Sequence, residues 1–393
     1  MYEARPLLKT PNLVLFSRRF SRTHQSPSLF ISATPSTLIK HPSPSSPTMS
    51  SPSPLNTKLL APSLGHPLTT TTAPFPAPPS PTDVTIHLHA IALNPADAKM
   101  LDTGARAASW PLVPGLDGAG TITAVGSAVT RFAPGDAVLA LFTPGDGGAA
   151  WQTYAVVPEA CVARKPAGWS WEQAAGVGVC YLTAVVGVGV GLGMALPFLR
   201  GGATEGVVEV ASVLVLGGSS GVGAAAVQVL RLARPGVRVL ATSSPRHHAH
   251  LRALGVEGVV NRASGSLVED VRAASPGGRG VDAVFDAVGA GATQRDVFEA
   301  FGADGPKRYA QVWTGDEEIE VPEGVESVLF RSRDLPKLNG SENVMVALET
   351  LLEEGRYKLP LPVKIVGEGW EAVEKGLEGI RKGVSGEKLV VRV

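Results

Sequence analysis

From Asp83 onward, the run VTIHLHAIAL alternates apolar and polar positions with a period of two, the pattern of a strand that buries one face. The later stretch VPGLDGAGTITAVGSAVTRFAPGDAVLAL consists of short apolar runs broken by Pro-Gly, Asp-Gly, Val-Gly-Ser and Pro-Gly-Asp. That spacing predicts a small, strongly bent β-barrel or sandwich. Beyond the middle of the chain the rhythm changes. VLVLGG predicts a strand, a helix opens near Gly221, and VRVLAT and RHHAHLRALG repeat the pair. GVEGVVN, SLVEDVRAA and VDAVFDAVG continue as strand, helix and strand, which predicts a parallel sheet covered by helices on both faces. ENVMVALETLLEEG predicts an amphipathic helix closed by Gly355, and KLVVRV a final strand.

Two segments depart from these patterns. Ala174 to Leu199 carries no charge and is long enough to cross a bilayer, but it is rich in Gly, contains a Pro, and lacks basic flanks and aromatic belts. It is expected to be buried helix and loop, with no membrane partner. The first 82 residues hold half of the 32 prolines and one acid, Glu3. Residues 1–54 are expected to be a disordered Ser/Pro-rich extension, unable to offset the entropy of ordering. Arg18, Arg19 and Arg22 among apolar and hydroxyl residues give the stretch a mitochondrial-presequence-like composition. The competing expectation is a start of translation at Met49 and a cytoplasmic protein. Charge narrows the function classes: 35 basic and 35 acidic residues leave no net charge, hence no electrostatic footprint for nucleic acid. Two cysteines, Cys161 and Cys180, make no disulfide framework.

The candidate chemistry lies in VLVLGGSSGVG, a buried strand followed by a glycine turn and a helix. Gly217 and Gly218 permit a tight turn, Gly221 close backbone approach, and Gly223 tight helix packing. The free amides at the helix start then face an anion, normally a pyrophosphate, with Ser219, Ser220 and Val222 around it. Strict G-x-G-x-x-G register is broken, because the middle position is Ser220. Dinucleotide sites selective for NAD place an acid at the end of the next strand. Here that strand ends in Thr242, Ser243, Ser244 and Pro245, with Arg246, His247 and His248 behind. Hydroxyls and a guanidinium accept a 2′-phosphate, which favours NADPH. The competing assignment of Arg246 and the histidines is a solvated helix face.

IALNPADAKMLD, VPGLDGAGTITAVG, the Gly/Ser turn, DAVFDAVG and KGVSGEKLVVRV resemble, in order and spacing, the medium-chain dehydrogenase/reductase superfamily. More narrowly, NPADAK, GLGMALP and ATSSPRHHAHLRALG are similar to fungal trans-acting enoyl reductases of polyketide synthases, and the whole to quinone oxidoreductase-like proteins. The resemblance implies an α/β chain: a GroES-like β-barrel catalytic domain at 55–185, a Rossmann doubly wound parallel-sheet domain at 186–335, and a return to the catalytic domain at 336–393. It also implies site roles. Ala96, Asp97, Ala98 and Lys99 approach the nicotinamide, Lys99 as the cation. Thr183 lies beside the nicotinamide, with Tyr181 next to it as an alternative proton donor or core residue. Asn261 approaches the adenosine, and Val384 and Ser385 contact the cofactor. Ala184, Val185, Val186, Gly187, Val188, Gly189, Val190 and Gly191 line an acyl tunnel. Between Gly289 and Gly324 the resemblance fades, so substrate contacts near Val312 and Trp313 rest on position alone.

Zinc members of the superfamily carry Cys and His ligands where this chain has Asn94 and Leu116, and Leu cannot coordinate. No metal site is therefore expected, and His87 and His89 are expected to be strand histidines. Without a Lewis acid to polarise a ketone, hydride addition to an activated C=C bond is the reaction expected. The expectation is an NADPH-dependent enoyl reductase of α,β-unsaturated thioesters carried by an acyl carrier protein or CoA, with a polyketide synthase as partner. The alternatives are a stand-alone quinone or alkenal reductase and a non-catalytic NADPH-binding protein. Monomer and homodimer are equally compatible with the sequence.

Overall fold

Strand β1 (Asn56–Leu60) pairs antiparallel with β2 (Thr69–Ala73), and the long β3 (Asp83–Ala92) follows. In this computed structural model the described residues are 54–77, 79–202, 207–315 and 318–393. The expectations for the N-terminal extension lie outside them, apart from Pro54. Strand β3 buries Val84, Ile86 and Leu88 in the barrel core. His87 stacks on Tyr154 at 4.7 Å between ring centroids. His89 packs 4.6 Å from Trp171 and pairs through Nε2 with the Thr121 hydroxyl at 2.9 Å. Burial pushes both imidazoles below their ordinary pKa, so packing and one hydroxyl occupy them.

Asn94 caps helix α1 (Pro95–Thr103), with proline in its first turn, and the left-handed Gly104 (φ 73°) ends it. Strands β4 (Asp117–Val125), β5 (Ala137–Leu141), β6 (Tyr154–Pro158) and β7 (Val162–Arg164) complete this half of a bent sheet. Helices α2 (Trp171–Ala175) and α3 (Gly178–Val186) come next, and α3 runs into a π-helical turn over Gly187–Gly191. The span Trp171–Gly191 is long and apolar enough to cross a membrane, yet 78% of its most apolar window is buried inside the protein. Its glycines explain the packing. A Cβ on Gly187 would lie 2.4 Å from both Phe285 and Phe330, and one on Gly191 2.8 Å from the Ala310 Cβ.

The second half is built on β8 (Ser212–Leu216), all of whose residues are buried. Val213 and Val215 enter one core while Leu214 and Leu216 enter another, so both sheet faces are covered and the apolar run is unbroken. Helix α4 (Gly221–Ala233), β9 (Arg238–Ser243), α5 (His248–Leu254), β10 (Gly258–Asn261), α6 (Leu267–Ala274) and β11 (Ala283–Asp286) follow in alternation. Strands β12 (Arg308–Val312) and β13 (Glu326–Phe330) finish the sheet, whose order is β10-β9-β8-β11-β12-β13 with every pair parallel. This is the doubly wound arrangement, with a crevice where the order reverses beside β8. Between β11 and β12, where the sequence resemblance fades, 3₁₀ turns at Ala290–Ala292 and Arg295–Ala300 replace the crossover α-helix.

Helix α7 (Val344–Glu353), β14 (Val363–Glu368), α8 (Glu371–Lys382) and β15 (Lys388–Arg392) carry the chain back. Strand β15 pairs with β3, so the first sheet reads β14-β15-β3-β4-β5-β7, with β6 also on β3.

Candidate active site

Two features of the doubly wound half meet at its crevice. At the end of β8, Ser220 caps α4: its hydroxyl accepts from the Gly223 amide at 3.0 Å, and its carbonyl accepts from the Ala224 amide at 2.9 Å. The Gly221 and Val222 amides precede any intrahelical acceptor. The turn is drawn tight around them. A Cβ on Gly223 would lie 2.3 Å from the Gly217 carbonyl oxygen, and one on Gly221 2.6 Å from Cys180 Sγ. A groove of about 290 Å³ runs beside the turn, lined among others by Ser219, Ser220, Thr242, Ser243, Arg262 and Ser385. Its described walls carry hydroxyls and one guanidinium but no carboxylate. Those residues fit the phosphates of a dinucleotide. The loop before β15 closes over the turn: the Gly386 amide donates to the Ser219 carbonyl at 2.9 Å, and the Ser385 and Ser219 hydroxyls lie 3.1 Å apart.

The second feature is a cleft of about 130 Å³ between the barrel and the doubly wound sheet. Asn94, Ala96 and Lys99 face it from the α1 side, Val179 and Thr183 from α3, and Val222, Val312 and Trp313 from the sheet side. Beneath Asn94 lies a buried polar cluster. Lys388 Nζ donates to Asn94 Oδ1 at 2.6 Å and to Asp117 Oδ2 at 3.1 Å, and lies 3.8 Å from Cys180 Sγ. The Asn94 side-chain amide donates to Asp117 Oδ2 at 3.0 Å, and the Val179 amide to Asp117 Oδ1 at 2.7 Å. Four elements are tied together at this point: α1, β4, α3 and β15. Burial lowers the Lys388 ammonium, but the negative charge available from Cys180 and Asp117 outweighs it and moves the group upward. Asp97, also fully buried, accepts from the Asn94 backbone amide at 2.8 Å through Oδ2, while its Oδ1 has no partner. Burial, reinforced by the charge of Asp117, pushes its carboxyl up to about 7, against the opposing pull of the Asn94 amide and Lys388.

The structure sorts the residues singled out in the sequence. Ala96, Lys99, Thr183 and Val222 line the cleft, and so do Val312 and Trp313. Asp97 and Ala98 turn away into the barrel interior. Ser219, Ser220, Thr242, Ser243, Val384 and Ser385 line the groove, while Gly218 packs inward against Ala241. Arg246 does not reach the groove. It donates to His247 and lines a neighbouring cavity of about 480 Å³ on the far side of Val384 and Ser385. Ser244 and Pro245 do not line the groove either, and Asn261 accepts from the Ala263 amide in a local turn. Arg262, one residue past β10, is the groove cation that sequence reasoning missed.

Packing favours the core reading of Tyr181 over the proton-donor one and goes against the tunnel expectation. Tyr181 is fully buried, its ring edge-on to Tyr357 at 5.2 Å and its hydroxyl without a partner; it has no route to a substrate. Burial also pushes that phenol far above its ordinary pKa. The segment Ala184, Val185, Val186, Gly187, Val188, Gly189, Val190 and Gly191 does not line the cleft, because Gly187 and Gly191 press onto Phe285, Phe330 and Ala310. Gly189 borders a separate cavity of about 160 Å³, lined also by Met194, Leu196, Leu199 and Leu338.

A parallel sheet in doubly wound order, a glycine turn after β8, and a cleft against a mainly antiparallel barrel define the architecture of a two-domain, dinucleotide-binding protein. The family profile described as "Alcohol dehydrogenase GroES-like domain" matches residues 80–167, and that described as "Zinc-binding dehydrogenase" matches 221–335. The dehydrogenase azaJ of Aspergillus niger is 30% identical over 352 residues, covering 86% of this chain and 99% of the relative. The trans-enoyl reductase himH of Aspergillus japonicus is 29% identical, covering 79% of this chain and 90% of its own length. Among solved structures, the CurK enoyl reductase superposes with a TM-score of 0.69 at 22% identity, covering 86% of this chain and 99% of that one. The chain belongs to the medium-chain dehydrogenase/reductase superfamily, and its doubly wound half is the nicotinamide-dinucleotide module of that family.

The zinc implied by the name of the second profile can be tested on the side chains. The oxygens of Asn94 and Asp117 already hold an ammonium, and Leu116 offers no donor atom. No group of three or more His, Cys, Asp or Glu among the described residues is placed to hold a metal ion. These residues do not fit a zinc ion.

Proposed function

We propose that the protein is an NADPH-dependent enoyl reductase that adds hydride to the β-carbon of an α,β-unsaturated thioester without zinc. One observation carries this reading: the place next to the cleft where a Lewis acid would sit is filled by the Lys388 ammonium on Asn94 and Asp117, behind the cleft wall. A ketone then lacks its usual activation, whereas a conjugated thioester delocalises the incoming charge onto its own oxygen. NADPH, when bound, supplies the hydride.

The chain's own residues do the rest. Ser219, Ser220 and the α4 amides hold the pyrophosphate. Thr242, Ser243 and Arg262, with no groove carboxylate to repel it, favour a 2′-phosphate. Ala96, Thr183 and Val222 set the wall against which the reacting carbons align. Lys99 stabilises the developing enolate oxygen, and solvent protonates the α-carbon. The naming of himH as a trans-enoyl reductase supports an enoyl substrate, and an acyl carrier protein or CoA as its carrier, with a polyketide synthase as partner, completes the proposal.

The test is NADPH oxidation with a crotonyl thioester, with a naphthoquinone, and with no acceptor. Turnover of the thioester alone is expected. Turnover of the quinone alone, or tight NADPH binding with no turnover of either acceptor, overturns the reading.

A further inference from the structure

Basic side chains line the cleft. Lys99, Arg106 and Arg331 all line it, and no Asp or Glu does so among the described residues. Two of these charges crowd one ring: the Arg331 guanidinium carbon lies 4.5 Å from the Trp313 ring centroid and that of Arg106 lies 6.0 Å from it. Neither guanidinium has a carboxylate within ion-pair distance among the described residues. Arg106 Nη2 donates instead to the Ser332 hydroxyl at 2.9 Å, joining the loop after α1 to the rim of the doubly wound half. Arg106 reaches there from a left-handed backbone (φ 70°), a conformation that a non-glycine residue adopts at a cost. Burial disfavours the charged form of Arg106, the negative charge of Asp97 opposes that, and Arg333 adds a further like charge.

Like charges gathered on one indole, with no ion-pair partner among the described residues, are relieved when an anion joins them. Guanidinium groups are also the side chains best shaped to hold a phosphate or carboxylate by paired hydrogen bonds. The geometry points to an oxyanion-binding subsite formed by Arg106 and Arg331 around Trp313, so that the substrate carries an anionic group besides its reducible double bond. This deepens the enoyl-thioester reading and rests on it. The anion has two candidate sources: the phosphate of a pantetheine arm, or a carboxylate on the acyl chain.

Three thioesters separate them: crotonyl-pantetheine, crotonyl-4′-phosphopantetheine and fumaryl-pantetheine. One charged thioester is expected to exceed the neutral one in kcat/KM by about tenfold, mostly through KM, as one charge-assisted contact allows. Which one gains names the source. In Arg331→Gln and Arg106→Gln the charged-to-neutral ratio is expected to fall towards one, and Arg331→Lys to restore part of it. A wild-type ratio near one for both charged thioesters, or a ratio that survives both glutamine substitutions together, overturns the subsite. If no thioester is turned over, the enoyl-reductase reading fails, and the subsite is judged by calorimetry on the NADPH-bound protein. Binding of free 4′-phosphopantetheine or fumarate that is lost in Arg331→Gln supports it; no binding to the wild type overturns it.

Discussion

Replacing Asp97 with asparagine tests the electrostatics of the buried cluster directly. Two carboxyl groups, Asp97 and Asp117, share one close ammonium, Lys388, and Asp97 keeps one oxygen without a partner. Its carboxyl moves from an ordinary 3.8 to about 7, so the folded protein holds a proton that the unfolded chain releases near pH 4. Because the folded value is the higher one, the stabilisation is complete below about pH 4 and is lost as pH rises towards 7. At about 1.4 kcal/mol per pH unit, the full loss has a ceiling of about 4 kcal/mol. Asparagine keeps an oxygen for the Asn94 amide but has no proton to lose. Urea denaturation of both proteins at intervals from pH 4 to pH 8 is the assay. The stability of Asp97→Asn relative to wild type is expected to rise by about 2–4 kcal/mol across that range and to level off above pH 7. A difference that stays constant with pH refutes the assignment of a strained, half-titrated Asp97.

Further predictions concern packing and the cofactor. Lys388→Met leaves the buried Asp117 charge uncompensated and is expected to lower stability by about 3–5 kcal/mol in urea unfolding, because breaking a buried pair costs more than making it gains. Gly221→Ala places a methyl 2.6 Å from Cys180 Sγ; NADPH affinity is expected to fall by about tenfold or more and to recover in part in the Gly221→Ala/Cys180→Ala double variant, measured by fluorescence titration. Arg262→Gln is expected to raise KM for NADPH by about tenfold with far less effect on NADH, through loss of a charge-assisted phosphate contact. Gly187→Val drives a side chain into Phe285 and Phe330 and is expected to cost about 3 kcal/mol or more of stability, read from the urea midpoint.

Much of the doubly wound half was legible because each strand between Ser212 and Asp286 is an apolar run closed by a turn. Strands β12 and β13 escaped notice because RYAQV and ESVLF mix charged and apolar residues, and 3₁₀ turns stand where a periodic helix would have announced them. At the site, local motifs found the glycine turn and the α1 start, whose function depends on backbone geometry. Arg262 was missed in favour of Arg246 because both follow strands, and only the closing loop over Ser219 decides which one faces the groove. The acyl-tunnel assignment failed because glycines that seem to leave room instead let a helix approach the sheet. Nothing local could have linked Lys388 to Asn94, since 294 positions separate them.

That separation has a consequence for how the enzyme comes into being. A nascent chain can build the parallel sheet and most of the barrel while still tethered, but the ammonium beneath the cleft and the serine over the glycine turn arrive only with β15 and the loop before it. Completion of the site therefore waits on β15, and a chain cut before Ser385 would have a sheet and a cleft but neither the ammonium beneath it nor the serine over the turn.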